Sequence, residues 1–276
     1  MSSRPPVTIW MALPAYNEER SLPNLLERFV ALQPELEKTG ATLRVLVVDD
    51  GSTDGTIAAA ERFKDRLALE VLPHGVNRNL GAGLRTGLTG AIQRCGPDDL
   101  VATMDADNTH DPALLPTMRA ILDRENADIV IASRYCPGGK EVGLTRLRQF
   151  LSRGASFLLT LVARVPGARD YTCGYRLYRA SMLRRAFQVW GDRLIEEVGF
   201  VCMAEVLVKL GRGGAKVAEA PLVLRYDLKE GASKMKILQT ISRYFVMARR
   251  VRSAPLPQIA GDAATTGAVP AESAAK

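Results

Sequence analysis

Histidine is scarce in this sequence: His74 and His110 are the only two among 276 residues. That excludes a metal site built on several imidazoles. A serine hydrolase is disfavoured too, because no G-x-S-x-G elbow occurs. The four cysteines (Cys95, Cys136, Cys173, Cys202) contain no C-x-x-C pair. Zinc sites need closely spaced ligand pairs and disulfide scaffolds are short and cysteine-dense, so neither fits. Reduced thiols in a cytoplasmic protein are expected instead. No apolar run approaches the roughly eighteen residues that span a bilayer. The first apolar stretch is ended early by Pro14 and acids, unlike a signal peptide. The expectation is a soluble or peripheral protein.

The chain does have a surplus of positive charge, 37 Lys and Arg against 30 Asp and Glu, giving +7 and a pI near 9.4. An anionic partner is implied, whether nucleic acid, an acidic membrane surface or a phosphorylated substrate. The first half alternates short β-rich runs (Val7–Leu13, Leu43–Val48, Leu67–Leu72, Leu100–Met104, Ile129–Ala132) with helical patterns (Leu22–Leu36, Thr56–Phe63, Ala82–Arg94, Pro112–Arg124). This alternation predicts an α/β fold, a mostly parallel central sheet flanked by helices. Ligands then sit at the carboxyl ends of the strands. Beyond Arg134 the pattern predicts helices at Arg146–Val165, Val198–Leu210 and Lys234–Arg252, with a strand near Val217–Arg225. The expected organisation is a catalytic unit over 5–252, with a donor-binding half to about 134 and an acceptor-binding half from about 135. Residues 253–276 read as a disordered tail.

Polar clusters follow the strands. The first is Pro14-Ala15-Tyr16-Asn17-Glu18-Glu19, which a plain strand-to-helix turn also explains. The second, Asp49-Asp50-Gly51-Ser52-Thr53-Asp54-Gly55, holds capping residues for the next helix. Capping does not account for two consecutive carboxylates, which suit the ribose or base of a nucleotide. The third runs from Asn79 to Gly87. As a G-x-G-x-x-G it fails at Thr86, and close helix–sheet packing by small residues explains it as well; the P-loop pattern is absent. The fourth, Asp105-Ala106-Asp107, crowds two carboxylates past a buried strand, and a divalent cation is the natural compensation. Hard oxygen ligands suit Mg²⁺ or Mn²⁺ together with substrate phosphates. One D-x-D is weakly specific; four clusters at successive strand ends are far more so.

With Ser133-Arg134-Tyr135, Arg148 to Ala155, Asp170 to Arg176 and Gly231 to Lys234, these clusters resemble the family 2 inverting glycosyltransferases, and within them the dolichyl- or polyprenyl-phosphate mannosyltransferase group. The resemblance covers roughly residues 5–250. It implies a GT-A-type nucleotide-sugar fold, with Pro14, Tyr16, Glu18, Val48 and Asp50 at the donor nucleotide. It places Asp105, Ala106 and Asp107 at the metal and diphosphate, with Thr109 where the family often carries Gln or Ser as a further ligand. Arg134, Arg148 and Ser152 match positions that hold donor or acceptor phosphates, and Lys234 matches a basic residue closing over the donor. The sequence departs from the family six residues before that lysine. Leu228 stands where an arginine is usual, with Arg225 or Lys229 as nearby substitutes, and the donor sugar stays open.

The resemblance implies metal-dependent, inverting transfer of a hexose, mannose favoured and glucose possible, from a GDP- or UDP-sugar to a prenyl-phosphate lipid. A phosphate oxygen is already anionic, so positioning and charge neutralisation are the main tasks. Glu196 and Glu197 stand where hydroxyl-accepting relatives carry a catalytic acid, though helix N-terminal charges are the simpler account. The stretch Arg134–Arg153 has five basic residues against Glu141 alone. With its apolar residues it suits docking on the cytoplasmic face of an anionic membrane, or core packing with basic edges. His110 is a candidate extra metal ligand or a loop imidazole. A soluble phosphorylated or glycan acceptor is the alternative. A non-catalytic module binding nucleotide or nucleic acid would explain the charge but not the paired acids, so nucleic acid is not the expected partner.

Overall fold

The computed structural model describes residues 6–144, 146–228, 242–244, 246–247, 249–251 and 258–259, without the side chains of 146–151, 155 and 158. The first half of the chain lays down β1 (Val7–Ala15), β2 (Ala41–Asp49), β3 (Leu69–Pro73), β4 (Leu100–Thr103) and β5 (Ile129–Ser133). All of β4 and β5 is buried, as strands sandwiched between helix layers must be. Helices α1 (Leu22–Lys38), α2 (Thr56–Glu61), α3 (Asn79–Arg94) and α4 (Leu115–Arg124) connect them. In α1, Leu22, Leu25, Leu26, Phe29, Leu32 and Leu36 form one buried stripe. Pro23 stands in its first turn, where a missing N–H breaks no helical bond.

The strand order is β3-β2-β1-β4-β7-β5-β8. β7 (Arg176–Arg179) is antiparallel to both neighbours, and every other pairing in this sheet is parallel. Neither β7 nor α6 (Ala180–Trp190) after it was expected. Of β7's four residues only Leu177 and Tyr178 are apolar between two arginines, too short a run to display a period. Its insertion separates β4 from β5.

The single strand expected near Val217–Arg225 is two. β8 (Val217–Pro221) lies in the main sheet, while β9 (Val223–Arg225) pairs with β6 (Lys140–Val142) in a separate ribbon. Pro221 has no N–H to continue a ladder. The Leu222 N–H turns to the Ser133 carbonyl at 2.9 Å, and its own carbonyl receives the Lys140 N–H at 2.8 Å.

Helices α5 (Arg146–Ala163) and α7 (Val201–Arg212) complete the second half. Of the last expected helix, the described residues between 242 and 251 are helical; Lys229 and Lys234 lie outside the described residues. Within the expected tail, Ile259 is buried and donates its N–H to Gly213 at 2.8 Å. Among the described residues no helix is long and apolar enough to cross a membrane.

Candidate active site

Register brings the first clusters together. Pro14 lies opposite Val48 and Ala15 opposite Asp49, while Ala12 lies opposite Thr103 at the end of β4. The turns after β1 and β2 interlock: Asn17 N–H donates to Ser52 Oγ (2.9 Å), Glu18 N–H to Thr56 Oγ1 (2.8 Å), and Thr53 N–H to Asn17 Oδ1 (2.8 Å). Asn17 and Asn108 both sit at positive φ, a conformation asparagine tolerates, at the strand-end turns.

Asp50 is buried, and its Oδ1 accepts from His74 Nδ1 and from the Arg78 N–H, both at 2.8 Å. His74 Nε2 reaches Thr86 Oγ1 at 2.9 Å. This histidine, to which no role was assigned from sequence, therefore ties the second cluster to α3. Asp49 Oδ1 is buried with no hydrogen-bond partner. The small residues of α3 pack on β1, with a Cβ on Gly83 falling 3.3 Å from Pro14, so close helix–sheet packing does explain that cluster. The helix starts at Asn79, three residues earlier than expected.

At the end of β4, Asp105 is half-buried and Asp107 buried. A carboxylate oxygen of each and a ring nitrogen of His110 lie within 4.8 Å of one another. His110 is 4% exposed and its Nδ1 has no hydrogen-bond partner, while Nε2 lies 3.6 Å from Cys173 Sγ. Thr109 donates its hydroxyl to Asp107 Oδ1 at 2.7 Å and its N–H at 3.2 Å, so it braces Asp107; only its oxygen lone pairs remain for a metal. Two carboxylates and a ring nitrogen of a buried imidazole form a donor set that fits a divalent cation.

The second half adds an arginine-centred pocket. Arg134 grips Asp170 bidentately (Nε and Nη2, both 2.7 Å), with Thr172 Oγ1 at 2.6 Å. Its Nη1 points to Glu141 Oε1 (3.3 Å) and Ser152 Oγ (3.5 Å). Tyr135 OH meets Ser152 Oγ at 2.7 Å. Burial would push the Asp170 carboxyl up, but the charge and hydrogen bonds of Arg134 hold it below the ordinary value.

Arg134, expected on a phosphate, is thus first the partner of Asp170. That partner was not singled out from sequence, and only the D-Y-T-C-G-Y-R motif hinted at it. The loop from Asp170 to Gly174 continues to the acids: a Cβ on Gly174 would lie 2.9 Å from Asp105 Oδ1. Arg148 belongs to α5 with its side chain outside those described, and Arg225 forms a two-pronged pair with Asp227 (2.9 and 2.7 Å).

Glu196 and Glu197 precede α7 but lie outside its first turn; each carboxylate is ion-paired. Glu196 meets Lys209 at 2.7 Å, and Glu197 meets Arg243 and Arg250 at 3.2 Å each. Beneath them Glu205, fully buried, accepts the N–H groups of both residues at 2.8 Å and pairs with Lys209 and Arg250. A Cβ on Gly81 would collide with the Glu197 carbonyl, so only glycine lets α3 begin against this segment.

The model described as glycosyl transferase family 2 matches residues 11–187. The undecaprenyl-phosphate mannosyltransferase of Micrococcus luteus is 34% identical over 224 residues, which cover 81% of this chain and 85% of that protein. The polyprenol monophosphomannose synthase of Mycolicibacterium smegmatis is 31% identical over 84% of this chain and 82% of its own. Among solved structures, glucosyl-3-phosphoglycerate synthase from Mycobacterium tuberculosis, in complex with Mn²⁺, UDP and phosphoglyceric acid, shares the fold. Its TM-score is 0.66 at 17% identity, covering 90% of this chain and 80% of that one. The strand-end clusters, the acid corner and these likenesses converge: this chain belongs to glycosyl transferase family 2, and it is a glycosyltransferase.

Proposed function

We propose that this protein transfers a hexose, mannose in the first instance and glucose in the second, from a GDP- or UDP-sugar to a polyprenyl phosphate with inversion. One observation carries this: the Asp170–Gly174 loop joins the acid corner to the Arg134 pocket, so a donor diphosphate and an acceptor phosphate have adjoining places. The names of the two bacterial relatives point to the same acceptor class. In this reading 5–252 is the catalytic unit. Pro14, Tyr16, Glu18, Val48 and Asp50 hold the nucleotide, and Arg134, Arg148 and Ser152 hold phosphate.

Asp105, Asp107 and His110, with Thr109 bracing, would hold Mg²⁺ or Mn²⁺; the solved synthase complexes hold one or other of these ions with UDP. When bound, the ion supplies Lewis-acid neutralisation of the departing diphosphate. The protein's own part is to align the phosphate oxygen with the anomeric carbon and exclude water. Ion pairing of Glu196 and Glu197 supports a phosphate acceptor over a hydroxyl one, since neither carboxylate is poised as a base. Incubation with a panel of nucleotide sugars and a short prenyl phosphate is expected to yield a glycolipid. Turnover of a water-soluble acceptor with no glycolipid from any donor would refute the lipid acceptor.

The acceptor's lipid tail calls for a membrane approach, and α5 offers one. Arg153, Phe157 and Leu161 recur at helical spacing and are exposed, Phe157 at 64% and Leu161 at 51%, while Ser156, Leu159 and Ala163 face inward; Arg164, just past the helix, is exposed too. Two large apolar side chains between two arginines suit an anionic interface. The protein is expected to float with vesicles containing anionic lipid. Phe157→Asp/Leu161→Asp should lose that flotation while keeping activity on a short, detergent-dispersed acceptor. Equal flotation of both proteins would remove α5 from the membrane contact.

A further inference from the structure

Beside the phosphate-holding groups lies an acid that those roles leave unused. The Glu141 side chain, on β6, is 1% exposed. Its Oε1 accepts two long hydrogen bonds, from Arg134 Nη1 and Tyr135 OH, each at 3.3 Å. Its Oε2 is buried and has no hydrogen-bond partner; the guanidinium of Arg153 comes no nearer than 3.9 Å. Ser152 Oγ closes the same group through Tyr135 and Arg134.

A carboxylate among the donors meant for a phosphate presents a conflict. Two anions brought together there repel, and a proton held between them removes that repulsion. The acceptor can provide that proton. A phosphate monoester loses its second proton near pH 6, so around neutrality part of it arrives as the monoanion, the weaker nucleophile.

Resting on the acceptor proposed above, we infer that Glu141 takes the proton of the acceptor phosphate as the glycosyl bond forms. The P–O–H bond to hydrogen breaks, and the proton joins Glu141 Oε2. The phosphate oxygen's electron pair forms the bond to the anomeric carbon. The bond from that carbon to the diphosphate breaks, its pair leaving with the nucleotide. Among the described residues, the charged and titratable groups that act most on Glu141 are Arg134, Tyr135, Asp170 behind Arg134, and Arg153 from α5; Arg225 and Asp227, paired with each other, lie beside β6 on the neighbouring β9 segment. Burial pushes the Glu141 carboxyl up, against the pull of Arg134, the Tyr135 hydrogen bond and Arg153, while Asp170 adds to the rise. Tyr135 is itself pushed up by burial and stays a neutral hydroxyl.

The test compares kcat/KM for a short prenyl phosphate in wild type and Glu141→Gln across pH 6 to 8. The productive wild-type complex carries one proton that the variant's lacks. The ratio of wild-type to variant kcat/KM should therefore fall by about tenfold or more as pH rises over that range. A ratio that does not change with pH, with the variant either fully active or uniformly weak, would overturn the assignment. Should the Gln variant unfold, Glu141→Ala with added formate at pH 6 serves instead. Restored turnover is expected, and no rescue overturns it. Wild type inactive toward every prenyl phosphate would refute the acceptor reading itself, a result distinct from an unchanged ratio in an active enzyme.

Discussion

Replacing Asp107 by alanine is expected to abolish transfer while leaving the fold standing. The carboxylate lies at the end of β4 with Asp105 and His110, and its described hydrogen bonds come from its near neighbour Thr109. Removing it also relieves crowding with Asp105, so thermal unfolding should move little, by about 1 kcal/mol at most. The chemical step should suffer far more. Stabilising the charge that develops on the departing diphosphate is commonly worth a thousandfold or more, about 4 kcal/mol. The variant should lose at least that in kcat/KM and should no longer bind Mn²⁺ with nucleoside diphosphate by calorimetry. Wild-type turnover persisting in excess chelator would remove the metal from the reaction. A variant retaining both Mn²⁺ affinity and activity would remove Asp107 from the site.

The acid corner was legible in sequence because each cluster follows a buried apolar run, and parallel strands side by side bring their carboxyl ends together. Pro14 opposite Val48 is a direct consequence of that register. The second half was less legible. β7 hides because Arg176, which donates to three backbone carbonyls, is fully buried, and composition reads an arginine as surface. The pairing of Arg134 with Asp170 spans 36 residues and leaves no local signature. Glu141 had the same defect: it counted as a lone acid in a basic run, and only the fold turns it inward. Glu205 and Lys209, at i and i+4 in an otherwise apolar helix, did carry a signal, since charges at that spacing on a buried face imply a partner.

Removing the Asp170 carboxylate is expected to cost more stability than any other single substitution considered. Asp170 is fully buried. It answers Arg134 through three donors (N–H 3.1 Å, Nε and Nη2 2.7 Å) and also accepts the N–H groups of Thr172 (3.2 Å) and Cys173 (3.1 Å). In Asp170→Ala the guanidinium keeps its charge in a pocket where, among the described residues, Glu141 at 3.3 Å is the carboxylate left to answer it. Breaking one side of a buried ion pair typically costs about 3–5 kcal/mol. For a chain of this size that lowers Tm by roughly 6–20 °C. Because the folded-state pKa of Asp170 is depressed, its contribution is fully present above the unfolded value near 4. It is lost as pH falls through the folded value. Wild-type Tm should therefore drop steeply on acidification below about pH 4. Asp170→Asn, with no charge to lose, should start lower and decline less. Parallel Tm-against-pH curves for the two would show that the pair does not hold the loop. The same loop touches Asp105, so Asp170→Asn should also loosen Mn²⁺ binding, linking the stability of the arginine pocket to the geometry of the metal corner.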